Sequence, residues 1–327
     1  MTNNKIKVLS LFDGISGARQ ALKELNIDCD YYASEINKYA IKVANHNHPD
    51  IVQIGDVKDL SFHYDDRFRD VVMDFDTSTN KQGFCGTSAD FDLLVGGFPC
   101  QSYSMAGNRK GIEDERGQLI YDVFRILKEC KPKYFLLENV KGLLSIDKGE
   151  TFKNILKDLV DCGYIVNWKV INSALMTAQN RQRVYIIGSL EDKIEIEDPE
   201  DKGIYLKDIV NDWGKNGIVY SCAQRGRNIV DGKRKDCKGA KTEQRLETSY
   251  SEKANTLTTV QKDSMLLKDY VVRKLTPIEC CRLQGFPDNY FIDQDGNKIV
   301  SNTQAYKALG NSFTVPVIKH LIQSMIK

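Results

Sequence analysis

The stretch KVLSLFDGISG, Lys7 to Gly17, decides the fold. Lys7 to Phe12 is a short, mostly apolar run of strand length, and it ends at glycines 14 and 17, where a chain can turn sharply. From Gly17 the period changes, and Ala18, Ala21, Leu22 and Leu25 fall on one face of a helix. A strand that passes through a glycine turn into a helix is the first half of a βαβ unit.

The alternation continues along the chain. CDYYAS, FDLLVG, KYFLLENV and RVYIIGSL read as strands; YAIKVANHN, QLIYDVFRILKEC and FKNILKDLVDCG read as helices, the last ended by Gly163. This rhythm predicts an α/β fold, a mostly parallel sheet with helices on both faces. The chain has 327 residues, 41% hydrophobic and 28% charged, enough for one large α/β domain and a smaller one. It has no apolar run of the roughly 20 residues a membrane span needs, and its polar start lacks a signal-peptide core. A cytoplasmic protein with no membrane association is expected. Nine cysteines without a CxxC pair and only four histidines argue against a disulfide framework or a metal site.

In such sheets ligands bind beyond the carboxyl ends of the strands. FDGISG follows the first strand, Glu35 ends the second, 21 residues after Gly14, and Asp56 follows the third. Glycines 14 and 17 allow close backbone approach, a carboxylate at 35 suits ribose hydroxyls, and one at 56 suits an adenine amine. An adenosine site is one reading, and a plain tight turn with two solvated acids is another. A dinucleotide fold fits less well, because G-x-x-G stands where G-x-G-x-x-G is required.

The next strand runs into GGFPCQS, with Cys100 after Pro99. A free cysteine is most often a small buried hydrophobe. Here a polar, glycine-bearing stretch follows, which suits a loop at the rim of a site. ENV brings Glu138 to the same rim, and QNRQRVY brings Arg181 and Arg183. These residues amount to a nucleophile, a proton donor and a fixed cation.

FDGISG, Glu35, GDV, GGFPCQS, ENV, QNRQR, RKLTPIECCRLQGFPD and QAYKALGNS occur in an order that resembles the DNA (cytosine-5)-methyltransferases, enzymes that use S-adenosylmethionine. The resemblance covers nearly the whole chain. It departs from the family pattern at Asp13 and Ser16 and in a longer connection from Asp56 to Asp92. The resemblance implies catalytic Cys100, Glu138, Arg181 and Arg183. For the cofactor it implies Phe12, Asp13, Gly14, Gly17, Glu35, Ile36, Asp56, Val57, Pro99, Asn311 and Ser312. It further implies that Cys100 adds to C6 of a cytosine turned out of duplex DNA, and that Ser104, Arg109, Lys110 and Arg116 close on that DNA. RKLTPIECCRLQGFPD reads as structural, with a helix starting at Thr276-Pro277 and with Cys280 and Cys281 in the core.

Between Leu190 and Tyr270 the βαβ rhythm stops. Residues 191 to 214 hold nine acidic and three basic residues, and 215 to 245 reverse those numbers. In a DNA-modifying frame the basic stretch reads as a DNA contact. Gln224, Arg225, Arg227 and Gln244 are expected near base edges, and Lys233, Arg234 and Lys235 near phosphates. Thr256 and Leu257, in ANTLTT, resemble the family's Thr-Leu element. The expected layout is a catalytic domain at 1–190, a target-recognition domain at 191–271 and a closing segment at 272–327. The expected partners are double-stranded DNA and a cognate restriction endonuclease acting on the same site, with the protein a monomer. A transfer-RNA cytosine methyltransferase of the same fold and a non-catalytic DNA-binding regulator are the alternatives.

Overall fold

The computed structural model describes residues 5–65, 70–76, 84–98, 119–211, 213, 217–230, 233–234, 242–260 and 263–326. Pro99, Cys100, Ser104, Arg109, Lys110, Arg116 and Lys235 lie outside the described residues. By packing the chain divides into two compact units, 1–171 with 182–198 and 317–327, and 172–181 with 199–316. Residues 272–316, expected with the catalytic domain, pack in the second unit, and only the last eleven residues of that segment join the first.

The first unit opens with β1 (Ile6–Leu11), α1 (Gly17–Glu24), β2 (Cys29–Ser34), α2 (Lys38–Asn47) and β3 (Val52–Gln53). An antiparallel excursion follows, made of β4 (Ser61–Asp65), β5 (Asp70–Asp76) and β6 (Phe84–Ser88). The chain then forms β7 (Leu93–Gly96), α3 (Leu119–Cys130), β8 (Tyr134–Val140), α4 (Glu150–Asp161), β9 (Ile165–Asn172) and β10 (Gln182–Ser189). Seven of these strands make one sheet, in the order β3-β2-β1-β7-β8-β10-β9. The pairings from β3 through β8 are parallel, and β10 runs antiparallel to β8.

Leu9, Leu11, Leu94, Phe135, Leu137, Val184 and Ile186 form one continuous core with Val123, Leu127, Ile155 and Leu159 of α3 and α4. The alternate residues Val8, Leu93, Val95 and Leu136 are equally buried, so both faces of the sheet are covered, which explains the unbroken apolar runs. Strand order reverses between β1 and β7. The crevice beyond their carboxyl ends is where an open α/β sheet binds ligands. Gly96 serves this junction, because a Cβ there would lie 3.3 Å from the Leu11 carbonyl.

Two elements depart from the sequence reading. The connection from Asp56 to Asp92 contains a three-stranded sheet whose Met73 and Phe75 enter the core, and β9 forms an edge strand beside β10.

The second unit contains α5 (Leu206–Ile209), β11 (Tyr220–Arg227), β12 (Ile229–Val230), β13 (Lys233–Arg234), β14 (Glu243–Thr248), β15 (Met265–Lys268) and β16 (Val271–Lys274). β14-β11-β15-β16 is an antiparallel sheet, and β12 pairs with β13. Two helices follow, α6 (Pro277–Gln284) and α7 (Asn302–Asn311). Thr276 and Glu279 cap α6 reciprocally, and buried Glu279 also takes both ends of the Arg273 guanidinium at 2.8 and 2.7 Å. Cys280 and Cys281 are buried, and burial pushes the Cys281 thiol up to about 12. Residues 317 onward of α8 (Val315–Met325) return to the first unit. No helix among the described residues is long and apolar enough to cross a membrane.

Candidate active site

Beyond the carboxyl ends of β1 and β2 the first unit holds a cleft of about 250 Å³, lined by Phe12, Ser34, Glu35, Ile36, Asp56, Val57, Lys58 and Leu119. Its shape begins with the backbone. Phe12, Gly14 and Ser16 all take left-handed φ values, 56°, 61° and 59°, so the chain coils tightly between β1 and α1. Glu35 locks this coil to β2. One carboxylate oxygen accepts the Gly14 N–H at 2.8 Å, and the other accepts the Ile36 and Asn37 N–H groups at 2.9 and 2.8 Å. Asp56 caps the short turn that follows β3 by accepting the Lys58 N–H at 3.1 Å. An aromatic wall with two carboxylates at the rim fits an adenosine group, which offers a flat face, ribose hydroxyls and an exocyclic amine.

Asp13 also braces the coil. Its carboxylate is buried beneath the coil and accepts from the hydroxyls of Ser10 at 2.6 Å, Tyr31 at 2.7 Å and Ser16. Burial pushes the carboxyl up, against the pull of those three donors. The departures from the family pattern at 13 and 16 are thus one linked device that holds the turn. Gly17 is buried at the start of α1.

The second group of candidates sits on β8 and β10. Because these strands are antiparallel, the start of β10 lies beside the end of β8, with Arg183 opposite Val140 and Tyr185 opposite Glu138. Arg183 and Glu138 therefore share a face at the rim where the parallel strands end. Arg183 Nε lies 3.1 Å from Glu138 Oε1, and both side chains are nearly buried. Beside them Asn139, 3% exposed, donates from Nδ2 to the Phe98 carbonyl at 2.9 Å, while its Oδ1 accepts the Val140 N–H. Phe98 immediately precedes Pro99-Cys100 in the chain. Asn139 was legible only as the middle letter of ENV.

Arg181 has other partners of its own. It belongs to the second unit, where its buried guanidinium donates to the carbonyls of Gly310 at 3.1 Å, Ser312 at 2.8 Å and Leu257 at 3.4 Å. Asn311 and Ser312 stand at the end of α7 in the same unit, with Ser312 buried and Asn311 exposed.

The C-5 cytosine-specific DNA methylase family model matches residues 6–327. The chain belongs to this family. It is 35% identical over 345 residues to the Type II methyltransferase M1.ScrFI of Lactococcus lactis subsp. cremoris, covering 99% of this chain and 78% of that one. It is 34% identical over 336 residues to the Type II methyltransferase M.NlaX of Neisseria lactamica, covering 98% and 96%. In fold it is similar to DNMT2 of Spodoptera frugiperda, with a TM-score of 0.66 at 19% identity over 99% of this chain and 100% of the other. The chain is thus an enzyme of the cytosine-C5 DNA methyltransferase type, built on the corresponding α/β fold.

In this methylase the Thr-Leu element is an internal brace. Leu257 is buried, its N–H donates to Gln179 Oε1 at 2.8 Å and its carbonyl accepts from Arg181, while the Thr256 hydroxyl donates to the Asn180 carbonyl at 2.6 Å. Leu257 is 3% exposed. Gln224, Arg225 and Arg227 lie on β11, the strand flanked by β14 and β15, with Gln224 exposed. Gln244 lies on β14 opposite Gly226. Lys233 and Arg234 form β13, of which only the backbone is described.

Proposed function

We propose that this methylase acts on cytosine in duplex DNA at a short fixed sequence, through a covalent bond from Cys100. The observation that carries this reading is the Glu138–Arg183 pair, held at the sheet rim beside the strand that leads into Cys100. Cytosine C5 is too poor a nucleophile to accept a methyl group unaided. The Cys100 thiolate adds to C6; Glu138 hydrogen-bonds the base edge around N3 and helps protonate it; Arg183 holds O2, stabilising charge where it develops. Loss of the C5 proton and departure of Cys100 then restore the aromatic ring. A stacked base hides its C6 face, so the target is turned out of the duplex at a cost of a few kcal/mol. Ser104, Arg109, Lys110 and Arg116 are proposed to close on that DNA.

S-adenosylmethionine, when bound, supplies the electrophilic methyl group. The cleft of Phe12, Glu35, Ile36, Asp56 and Val57 fits its adenosine part, with Gly14 and Gly17 in the approaching coil. Pro99, Asn311 and Ser312 are proposed as further contacts on grounds of resemblance. Arg181 and Asp13 are assigned to the framework. The antiparallel sheet of the second unit is proposed to read the DNA. Relatives carrying the Type II methyltransferase name support a restriction endonuclease of the same specificity as its partner, and we expect the methylase to act as a monomer.

The test is expression in cells that lack cytosine methylation, followed by bisulfite sequencing of their DNA. One short, fixed context should carry the mark. Methylation found on RNA and absent from DNA overturns the reading in favour of a transfer-RNA enzyme, and no methylation at all favours a DNA-binding regulator.

A further inference from the structure

One side of the adenosine cleft rests on a turn too short to hold itself. Asp56, Val57 and Lys58 line the cleft, and the helical turn that Asp56 caps is three residues long, Val57–Asp59. So short a helix is not stable on its own backbone bonds. Gly55 precedes it with a left-handed φ of 79°, and Leu60 leads straight into β4. Bonds from outside give the turn its shape. From the β2 side the buried Ser34 hydroxyl donates to the Gly55 carbonyl at 2.9 Å. From the α3 side Arg125 donates through Nη2 to the Val57 carbonyl at 3.1 Å and through Nη1 to the Leu60 carbonyl at 2.8 Å. One guanidinium thus holds both ends of the turn. Asp122, three residues earlier on α3, accepts from Nη2 at 3.0 Å and aims the fork.

The same helix is itself a wall of the cleft, because Leu119 at its start lines it. Turn and helix are two sides of one cleft, and Arg125 ties them together. A planar guanidinium suits this task, since its two terminal nitrogens bridge two carbonyls at once, whereas a lysine offers one nitrogen. Folding stability is a weaker reason for the bridge. Arg125 is 34% exposed, and ion pairs of such exposure add little. Val57 and Leu60, 3% and 2% exposed, already anchor the turn in the core. Their burial fixes where the turn lies; the carbonyl bonds fix how its backbone is rotated, and with it the direction of the Asp56 carboxylate. Asp56 Oδ1 accepts the Lys58 N–H, while Oδ2 accepts from no side chain or backbone group among the described residues. That oxygen is placed to take an amine.

We propose that Arg125 is a positioning residue of this methylase, which holds the 57–60 turn against α3 so that Asp56 selects a cofactor whose purine carries the exocyclic amine. The proposal rests on the reading of this cleft as the adenosine site, and the experiment separates the two. S-adenosylhomocysteine, and its analogue with hydrogen in place of the amine, are titrated into the protein by calorimetry. Wild type should prefer the amine-bearing compound about tenfold, the value of one hydrogen bond to a charged group. Arg125→Met removes the fork and keeps an unbranched stem; it should bind S-adenosylhomocysteine about tenfold more weakly and lose most of that preference. Arg125→Lys, with one nitrogen for two carbonyls, should fall between. If Arg125→Met does not fold, Asp122→Asn, which loosens the aim of the guanidinium, should show a smaller loss of preference in the same direction. A wild-type preference in folded Arg125→Met, or in Asp122→Asn in its place, overturns the proposal even where the melting temperature has fallen, because an arginine that only braces the fold does not alter the choice of base. Asp56→Ala and Glu35→Ala decide where the failure lies. If Asp56→Ala abolishes the preference while Arg125→Met keeps it, only the role of Arg125 fails. If Asp56→Ala keeps the preference and Glu35→Ala weakens binding, the amine has another partner and the proposal fails while the cleft stands. If neither variant changes binding, the cleft is not the adenosine site and both readings fail.

Discussion

Replacing Asn139 by Ala removes one amide that joins two neighbouring strand ends. Its Nδ2 satisfies the carbonyl of Phe98, which is 5% exposed, and its Oδ1 takes the N–H of Val140, which is 38% exposed. Water can replace the amide at Val140 but not readily at Phe98, so the cost is that of one stranded buried acceptor, about 1 to 3 kcal/mol. Urea denaturation should show a loss of that size. The functional effect should be larger, because Phe98 lies two residues before Cys100, and a misplacement of about 1 Å at a reacting group costs about 100-fold in rate. The expected pattern is a fall in kcat of roughly that order with little change in KM for the cofactor, whose cleft is built from other strand ends. A variant that loses stability but retains kcat would refute the reasoning, since the amide would then brace the fold without positioning the nucleophile.

Three further outcomes are expected. Glu35→Ala should weaken S-adenosylmethionine binding by about 1 to 3 kcal/mol in calorimetry, by leaving ligand hydroxyls and the Gly14, Ile36 and Asn37 N–H groups without their acceptor; unchanged affinity means the cofactor cleft is misassigned. Gly310→Ala should cost about 1 to 3 kcal/mol in thermal melting, because a Cβ there would come within 2.6 Å of the Thr258 backbone, whereas Gly142→Ala, which meets only a side-chain methyl at 4.0 Å, should melt close to wild type. Burial lowers the His48 imidazole from 6.5 to about 4, so the fold favours its neutral form. That stabilisation is complete above pH 6.5 and is lost as pH falls toward 4; it amounts to about 3 kcal/mol, and His48→Gln should flatten the urea midpoint across that window.

The parallel core of the sheet was legible because its strands are covered on both faces and read as unbroken apolar runs ending at glycines or acids. β2 occupies the whole of CDYYAS. The excursion of β4 to β6 was read as a polar connection because β5, DVVMDFD, carries three aspartates, which strands disfavour. β9 escaped notice for a related reason: it is an edge strand with mixed burial and no clean alternation. The candidate residues Glu138 and Arg183 lie within two residues of the rim ends of β8 and β10, and Glu35 and Asp56 closely follow β2 and β3, which is why a reading of strand ends picks them out. Arg181 could not be separated from Arg183 by sequence, although two residues of chain send one guanidinium to a carboxylate and the other into buried carbonyls. The ion pair of Arg227 with Glu247 was equally hidden, since the partner lies 20 residues away on the neighbouring strand.

The central claim is that Cys100 is the nucleophile, and it is tested most directly by trapping. Wild-type protein, S-adenosylmethionine and a duplex carrying 5-fluorocytosine in the methylated context are incubated together and resolved under denaturing conditions. Elimination of Cys100 requires a proton at C5, and fluorine there blocks it. A stable protein–DNA adduct should therefore form, with mass spectrometry locating the bond on the peptide that contains Cys100. Cys100→Ala should give no adduct and no methylation while still binding S-adenosylmethionine. A Cys100→Ala protein that methylates ordinary cytosine, or an adduct mapped to another residue, would contradict the account.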